Sequence, residues 1–247
     1  MKNMVRRYIN NTFFFLFIWI LFYNYYVIKL INNFAKQNDK YIAFSFDDGP
    51  NDTNTINILK TLKKYQAKAT FFLIGSRIEK YTVKKNIYEK YNCEIGNHSF
   101  MHENVQTNDI NSIRNSIIQC QNAISKTFDV VPTLFRAPYG EINDDVLSLL
   151  KELNMTPIRW SVDSEDWCTD NKDYIIANVL NNIADGDIVL MHDRNQITID
   201  ALDFILDKLN QNGYSFVTIS ELFKIKGLEL NSDKIYNSAN RKNDLIK

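Results

Sequence analysis

The chain has three histidines, and each lies where a short apolar run of the sequence ends. His98 and His102 are four residues apart, a spacing that lets two imidazoles face one metal ion. Asp48 follows another apolar run and supplies a third ligand, which leaves a coordination position open for water. Ser99 stands where the HExxH helix of zincin proteases needs glutamate, so that motif is excluded. These residues predict a site for one divalent cation.

The residues beside this predicted metal site suit acid–base chemistry. A bound cation would polarise a carbonyl oxygen and lower the pKa of a water molecule. Asp47 is close enough to reach that water without binding the metal, and we predict that it is the general base. His192, from a distant run, is the predicted acid for the leaving group. With the cation and a backbone N–H stabilising the oxyanion, the set suits hydrolysis of an amide or ester without a covalent nucleophile.

Short apolar runs that alternate with amphipathic segments must position these groups. The predicted strands are Tyr41–Phe46, Thr70–Ile74, Cys93–Asn97, Thr133–Arg136, Pro157–Val162, Ile188–His192 and Phe216–Ile219. The predicted helices are Thr55–Tyr65, Asp109–Phe128, Asn143–Leu153 and Ile197–Leu209. Such alternation favours parallel strands, whose carboxyl ends carry catalytic groups. An α/β fold follows, and seven strands favour a small incomplete barrel over an open doubly wound sheet.

Five motifs, in this order along the chain, carry a family resemblance. They are Ser45-Phe46-Asp47-Asp48-Gly49, His98-Ser99-x-x-His102, Arg136-Ala137-Pro138-Tyr139-Gly140, Asp163-x-x-Asp166-Trp167 and Ile188-Val189-Leu190-Met191-His192. This set resembles the polysaccharide deacetylases, which share the NodB-homology domain and form carbohydrate esterase family four. The resemblance runs from about Tyr41 to Phe223. It implies a distorted (β/α)7 barrel and metal-dependent removal of acetyl from an N-acetylated or O-acetylated sugar polymer.

The resemblance also implies roles for individual residues. Asp47 is the implied base and His192 the implied acid, with Asp48, His98 and His102 as the metal ligands. Arg136 resembles the residue that orients the base, Tyr139 the donor of a backbone N–H to the oxyanion, and Asp166 the carboxylate that raises the pKa of the acid. Trp167 and Leu190 resemble walls of the acetyl pocket, and Pro138 is placed with them as substrate-binding. For Asp163, a structural hydrogen bond and a catalytic role both stay open.

The cation and the substrate are less determined than the reaction. Two histidines and an aspartate suit Zn²⁺, and Co²⁺, Mn²⁺ or Ni²⁺ fit as well. Peptidoglycan or chitin-like N-acetylglucosamine units are the expected substrate. Two alternatives stay open, namely an inactive glycan-binding relative at the membrane surface and a hydrolase of non-carbohydrate amide C–N bonds.

The composition excludes several other classes of protein. Twenty-nine Lys and Arg residues balance 29 Asp and Glu residues, so no net charge recruits nucleic acid. A hydrophobic share of 45% with 23% charged residues is typical of a globular chain. Three cysteines without a CxxC spacing argue against a disulfide scaffold and a thiolate zinc site. We expect a monomer.

The amino-terminal segment has the pattern of a membrane anchor. Basic residues precede an apolar stretch from Thr12 to Ile31, and those 20 residues make about 30 Å of helix, enough to cross a bilayer. A cleaved signal peptide and an amphipathic or buried helix stay as alternatives. The expected domains are an anchor or signal over residues 1–35, a catalytic domain over 36–225 and a polar, unstructured tail over 226–247. We expect the catalytic domain to lie outside the cytoplasm, held at the membrane, or secreted if the segment is cleaved.

Overall fold

A computed structural model describes residues 19–27, 40–81 and 87–240. The chain divides into two units, Met1–Asp39 and Lys40–Lys247. In the first unit, residues 19–27 are helical, with Trp19 and Phe22 largely exposed. None of the helices in the described ranges has the length and apolar character needed to cross a bilayer. Most of the predicted anchor lies outside the described residues, so the structure does not support it and it stays a prediction.

The second unit is built on a sheet whose strands all run parallel. Its strands are β1 (Lys40–Gly49), β2 (Ala69–Leu73), β3 (Glu94–Asn97), β4 (Leu134–Phe135), β5 (Thr156–Pro157), β6 (Val162–Asp163), β7 (Ile188–His192) and β8 (Tyr214–Phe216). Their order is β5-β4-β3-β2-β1-β7-β6, and β8 pairs with the start of β1. The arrangement is a parallel-strand half-barrel of the α/β class. The carboxyl ends of β1, β3 and β7 therefore lie at one edge, as the sequence predicts.

Helices follow most of the strands and cover the sheet. They are α1 (Asn54–Lys64), α2 (Gly75–Lys80), α3 (Ile87–Lys90), α4 (Ile110–Phe128), α5 (Asp144–Glu152), α6 (Lys172–Asn182), α7 (Gln196–Gln211) and α8 (Ile219–Ile225). The four predicted helices are confirmed as α1, α4, α5 and α7. Side chains cap several amino termini, as when Asp109 accepts hydrogen bonds from Asn111 N and Ser112 N at the start of α4.

Alternate residues of the central strand β1 belong to two different clusters of buried core residues. Phe44 and Phe46 join one cluster of buried residues, in which Phe46 stacks on Phe71 at 5.1 Å between ring centroids. Ala43 joins a second cluster that also contains Phe72 and Ile188. Successive side chains of a strand point to opposite faces, so both faces of the sheet are buried. This burial explains why the strands read as continuous apolar runs.

The fifth predicted strand, Pro157–Val162, is interrupted in the structure. Its start belongs to β5 beside β4, its end belongs to β6 beside β7, and residues 158–161 form no regular strand. Other partners occupy the backbone between them, because Arg136 donates hydrogen bonds to Ile158 O at 3.3 Å and to Arg159 O at 2.9 Å. The prediction of a continuous strand was therefore wrong. The Arg136 guanidinium donates to carbonyl groups that would otherwise accept hydrogen bonds from a neighbouring strand.

The last predicted strand, Phe216–Ile219, is also misplaced. Strand β8 ends at Phe216, and Thr218 caps helix α8. The Thr218 side chain accepts from Glu221 N while the Glu221 side chain accepts from Thr218 N, which is a capping box. The threonine and the glutamate three residues later carried this signal in the sequence. The apolar run masked it.

Residues beyond α8 are ordered, whereas the sequence predicts no structure there. Tyr236 and Ala239 are buried, and the ring of Tyr236 packs edge-on against Phe223 at 5.0 Å. Tyr236 N donates to Pro157 O at 3.1 Å, and Arg159 N donates to Tyr236 O at 2.8 Å. Residues 241–247 lie outside the described part of the chain. The segment from 227 to 240 thus packs against residues 157–159 and Gly186. It has too few apolar residues to form a periodic pattern.

Replacing Tyr236 with alanine is expected to lower the free energy of unfolding by about 3–5 kcal/mol, as for other fully buried aromatic side chains. The change removes the ring from Phe223 and leaves a cavity. Tyr236→Phe is the matched control, because it removes only the hydroxyl that donates to Glu229 O at 3.0 Å and accepts from Asn231 N, worth about 1 kcal/mol. Urea unfolding of the three proteins measures both. A loss below about 1 kcal/mol in Tyr236→Ala would contradict the packing of this segment.

Candidate functional site

A β-bulge at the end of β1 turns two neighbouring carboxylates toward one cavity. Pairing of β1 with β2 shifts register between Asp47 and Gly49, and Asp48 takes a left-handed backbone with φ of 72°. In a regular strand these two side chains would point to opposite faces. Arg77 Nη1 donates to Asp48 O at 2.7 Å and holds the unusual turn. The bulge is the structural reason why both acids reach the site.

Asp48, His98 and His102 lie together as a set of metal-ligand size. Their ligand atoms all lie within 4.8 Å of one another. Asp48 Oδ1 is 3.6 Å from His98 Nε2 and 3.3 Å from His102 Nε2. A tetrahedral site with bonds of about 2.1 Å separates its ligand atoms by about 3.4 Å. The spacing therefore fits a single cation of the size of Zn²⁺.

The hydrogen bonds around these atoms also fit a cation. Asp48 Oδ1 is buried and accepts no hydrogen bond from any group in the described part of the chain. His98 Nδ1 is 2.8 Å from Arg136 O, so this nitrogen carries the proton and Nε2 keeps its lone pair for a metal. His102 follows a loop rather than a helix, and its φ of 61° is left-handed. A buried oxygen without a donor beside a fixed imidazole nitrogen is the arrangement expected of side chains that bind a metal ion.

The charges around Asp48 keep its carboxylate ionised. Burial opposes ionisation, but the electrostatic attraction of His98, His102 and His192 outweighs it and lowers the pKa of Asp48. Arg194 adds to the effect, with Nε 3.3 Å from Asp48 Oδ2. Asp48 therefore presents one oxygen to the two histidines and the other to an arginine.

Asp47 is held by a fully buried arginine. Arg136 Nη1 donates to Asp47 Oδ1 at 2.8 Å and to Ser45 Oγ at 2.9 Å. The guanidinium lies over the ring of Phe72 at 4.2 Å. Asp47 Oδ2 lies 3.7 Å from His98 Nε2, next to the ligand atoms without joining them. A carboxylate so placed can take a proton from a molecule bound beside His98.

His192, the register partner of Asp47 on the neighbouring strand β7, forms a hydrogen-bonded chain with Asp166. His192 Nδ1 is 2.8 Å from Asp166 Oδ1, and Asp166 Oδ2 accepts from His192 N at 2.8 Å and from the Thr198 hydroxyl at 2.7 Å. Burial of the ring lowers its pKa, but the hydrogen bond and charge of Asp166, with Asp47 and Asp48, outweigh burial and raise the pKa of His192. Nε2 is the nitrogen left for a substrate, and the raised pKa favours its protonated form.

These groups line one cavity of about 270 Å³ at the carboxyl edge of the sheet. Its lining residues are Asp47, Asp48, His98, His102, Tyr139, Gly140, Trp160, Asp163, Trp167, Leu190, His192 and Arg194. Trp167 and Tyr139 are mostly exposed at its mouth, whereas Leu190 is buried in its wall. A Cβ on Gly140 would lie 2.7 Å from Trp160 Cη2, so the glycine makes room for that ring.

The structure thus brings the sequence-predicted residues together, with three differences of position. Arg136 and Asp166 lie behind the wall and contact Asp47 and His192 instead of the cavity. Pro138 is buried beside Tyr139 and is not among the described lining residues. Asp163 lines the cavity, and its Oδ1 accepts a hydrogen bond from Glu165 N at 2.8 Å, which supports a structural role.

Sequence reasoning missed three residues that the fold brings to the site. Arg194 contacts Asp48, Trp160 lines the cavity, and Thr198 holds Asp166. Arg194 lies two residues after His192, which was a usable signal. Trp160 and Thr198 had no signal, because a tryptophan in an apolar run and a threonine in the first turn of a helix are typical structural residues.

The chain matches the family model described as "Polysaccharide deacetylase" over residues 34–158. It is 41% identical over 189 residues to the peptidoglycan-N-acetylmuramic acid deacetylase PdaC of Bacillus subtilis, covering 76% of this chain and 40% of that protein. It is 40% identical over 197 residues to a peptidoglycan-N-acetylglucosamine deacetylase of Bacillus cereus, covering 76% of this chain and 91% of that protein. The chain therefore spans about two fifths of the length of PdaC and nearly all of the Bacillus cereus relative.

Solved structures share the fold at similar levels of identity. The structure of PdaC superposes with a TM-score of 0.73 at 40% identity, covering 77% of this chain and 93% of that one. A family 4 acetyl xylan esterase from Clostridium thermocellum, solved in complex with a cobalt ion, superposes with a TM-score of 0.74 at 32% identity, covering 81% of this chain and 98% of that one. The comparison of folds and the comparison of sequences thus relate this chain to the same set of proteins.

Proposed function

The chain belongs to the polysaccharide deacetylase family, and we propose that it is a metal-dependent hydrolase that removes acetyl groups from an acetylated polysaccharide. The observation that carries the proposal is the meeting of Asp48, His98 and His102 between Asp47 and His192 on the wall of one cavity. We assign to each of these five side chains the role that the sequence predicts for it. The reaction releases acetate and leaves a free amine, or a hydroxyl where the acetyl was an ester.

Asp47 is the proposed base. Its Oδ1 is occupied by the Arg136 guanidinium, so Oδ2 is the oxygen that accepts the proton of the attacking water. Arg136 positions this carboxylate. Asp48, His98 and His102 are the proposed ligands of one divalent cation, which would polarise the acetyl carbonyl and acidify the water. Zn²⁺ is our first choice, with Co²⁺, Mn²⁺ and Ni²⁺ as alternatives, because the nitrogen and oxygen ligands suit all of them.

His192 is the proposed acid. Asp166 holds the Nδ1 proton, so Nε2 faces the substrate with the second proton and donates it to the departing nitrogen. Tyr139 is the proposed donor of a backbone N–H to the oxyanion, from a left-handed backbone with φ of 63° at the cavity wall. Trp167 and Leu190 are the proposed walls around the acetyl methyl. Pro138 is the proposed support of the turn at Tyr139.

Peptidoglycan is the proposed substrate. PdaC and the Bacillus cereus relative are named for N-acetylmuramic acid and N-acetylglucosamine of peptidoglycan, and both are at least 40% identical to this chain. The exposed Trp167 and Tyr139 at the cavity mouth suit contact with sugar rings. Chitin-like N-acetylglucosamine units are the second choice.

We further propose that the protein acts outside the cytoplasm. Such a substrate lies there, and the apolar stretch from Thr12 to Ile31 with basic residues before it suits an anchor or a cleaved signal. In the proposed anchored form, the protein is a monomer whose catalytic domain is held at the membrane. Cleavage of the segment would give a secreted enzyme of the same activity.

Acetate release from a panel of glycans tests the function. We expect acetate from peptidoglycan strands or N-acetylglucosamine oligomers, loss of that activity with a chelator, and recovery with Zn²⁺ or Co²⁺. A small cyclic amide serves as the control for hydrolysis of non-carbohydrate C–N bonds. No acetate from any glycan with metal-loaded protein, together with retained binding to the polymer, would contradict the enzyme and favour a glycan-binding relative.

A further inference from the structure

Arg194 is a basic residue at the mouth of the cavity for which neither the five motifs nor the proposed chemistry has a role. It follows His192 and Asp193 at the end of β7, and its backbone carbonyl accepts a hydrogen bond from Asn54 Nδ2 at 2.6 Å. Half of its side chain, 51%, is exposed. The backbone is thus anchored while the guanidinium stays open to solvent and to a ligand.

Most donors of this guanidinium are not used within the described residues. Nε lies 3.3 Å from Asp48 Oδ2, and no described group accepts a hydrogen bond from Nη1 or Nη2. An arginine has five N–H donors in a planar fork that matches a carboxylate. Arg194 can therefore hold Asp48 through one side of the fork and bind a second anion through the other.

The charges in the cavity make Arg194 the place for such an anion. Among the described lining residues it is the only lysine or arginine, and it lies near the carboxylates Asp47, Asp48 and Asp163. Arg136 is completely buried behind the wall and is engaged by Asp47. The carboxylates among the described lining residues would repel an anionic group on a bound substrate, and Tyr139 and Trp167 at the mouth carry no positive charge to attract it. Among the described lining residues, Arg194 is the one exposed arginine or lysine that can accept it.

We propose that Arg194 binds a carboxylate on the sugar that carries the scissile acetamide, so that the site prefers anionic glycan units. The proposal rests on the deacetylase function and adds the substrate class to it. In N-acetylmuramic acid the carboxylate belongs to a lactyl ether on the ring carbon next to the one that bears the acetamide. If the acetyl carbonyl met the cation held by Asp48, the substituent on the neighbouring ring carbon would be close enough to reach the Arg194 guanidinium, whose Nε lies 3.3 Å from Asp48 Oδ2. N-Acetylglucosamine has only a hydroxyl there.

Two forms of one glycan strand test the proposal. Strands of alternating sugars with free lactyl carboxylates are compared with the same strands after conversion of those carboxylates to methyl amides. The wild-type protein is expected to show a kcat/KM about fivefold to tenfold higher on the free carboxylate, the range for a charge-assisted hydrogen bond at a half-exposed site. The preference should fall as salt is added, because exposed charges are screened.

Three variants locate this preference. Arg194→Gln is expected to bring the ratio of the two kcat/KM values close to one, and Arg194→Lys to keep part of it, since lysine retains the charge but not the fork. Arg114→Gln is the matched control. It removes the same charge from α4, where Arg114 pairs with Glu152 at 2.6 Å, and should leave the ratio at its wild-type value.

Metal content and binding to the chelator-treated protein separate the outcomes. Weaker binding of the free-carboxylate strand to metal-free Arg194→Gln, with normal metal content of the reloaded protein, supports the proposal. An unchanged ratio in Arg194→Gln overturns it. An equal loss on both strands together with loss of metal also overturns it, since Arg194 would then only position Asp48. If the wild type releases no acetate from either strand, the proposed deacetylase function is wrong. If it is active on both strands with equal kcat/KM, only the proposed role of Arg194 is wrong.

Discussion

Replacing Asp48 with asparagine is expected to lower kcat/KM for acetate release at least about a thousandfold and to remove the bound cation. Asparagine has nearly the same shape, but its neutral amide oxygen is a much weaker ligand than the carboxylate oxygen that lies 3.3 Å from His102 Nε2. Polarisation of the carbonyl by a metal is worth several kcal/mol, and about 4 kcal/mol corresponds to a factor of a thousand in rate. Metal analysis after gel filtration and initial rates on peptidoglycan measure the two effects.

Asp203→Asn is the matched control for this variant. It also removes one carboxylate, from an exposed pair between α1 and α7 in which Lys64 Nζ lies 2.8 Å from Asp203 Oδ1. Its metal content and rate should equal those of the wild type. Should Asp48→Asn keep one cation per chain and the wild-type rate, Asp48 is not a ligand and the proposed site is wrong.

The second large effect concerns the acid. His192→Ala is expected to lower kcat on a glycan acetamide by about 10²–10⁴-fold while metal content stays unchanged, because an amine leaves poorly without a proton. The loss should be much smaller on an aryl acetate, whose phenolate leaves unprotonated. Comparing the two substrates in wild type and variant measures the proton-transfer role. An equal loss on both would show that His192 acts on something other than the leaving group.

The Asp166→Asn variant tests the acid role of His192 through the pH dependence of kcat. His192 must be protonated to donate, so activity is present below its pKa and is lost as the pH rises through it. Burial lowers this pKa, whereas Asp166, 2.8 Å from Nδ1, raises it above the usual value and outweighs burial. Removing the negative charge should therefore move the alkaline limb of kcat to lower pH. The wild type and the Asp166→Asn variant bind the same cation, so its effect on the pKa of His192 cancels when the two are compared. An unmoved limb would contradict the proposed pair.

The sequence contained enough information for the elements and for the chemistry of the site. Short continuous apolar runs and helices of period 3.6 are local patterns, and they predicted four helices and the strands at whose ends Asp47, His98 and His192 lie. The family resemblance came from residues within a few positions of those strand ends. Because parallel strands end at one edge, the side chains that follow β1, β3 and β7 had to converge.

Errors arose where tertiary contacts compete with a local pattern. Residues 158–161 have the composition of a strand, but Arg136 and Tyr236 bind their backbone groups in place of a neighbouring strand. Thr218 reads as part of an apolar run, yet its capping box starts a helix. The segment after Lys226 has no periodicity because single residues such as Tyr236 do its packing. Arg136 and Tyr236 are distant in sequence from the residues that they contact, so no local pattern could reveal those contacts. The capping signal of Thr218 and Glu221 was local, but the apolar run around it masked it.

The residue types at the strand ends determined by themselves that this chain holds an Asp-His-His set between a carboxylate and an imidazole, because ligand chemistry and proton affinity belong to the side chains. Only the tertiary structure decided which atoms face one another. The left-handed turn at Asp48 brings both carboxylates to one side, and Arg136 binds one oxygen of Asp47. Arg194 reaches Asp48 from the segment that follows the neighbouring strand β7. Distances and hydrogen bonds depend on how distant segments pack, and the sequence does not state that packing.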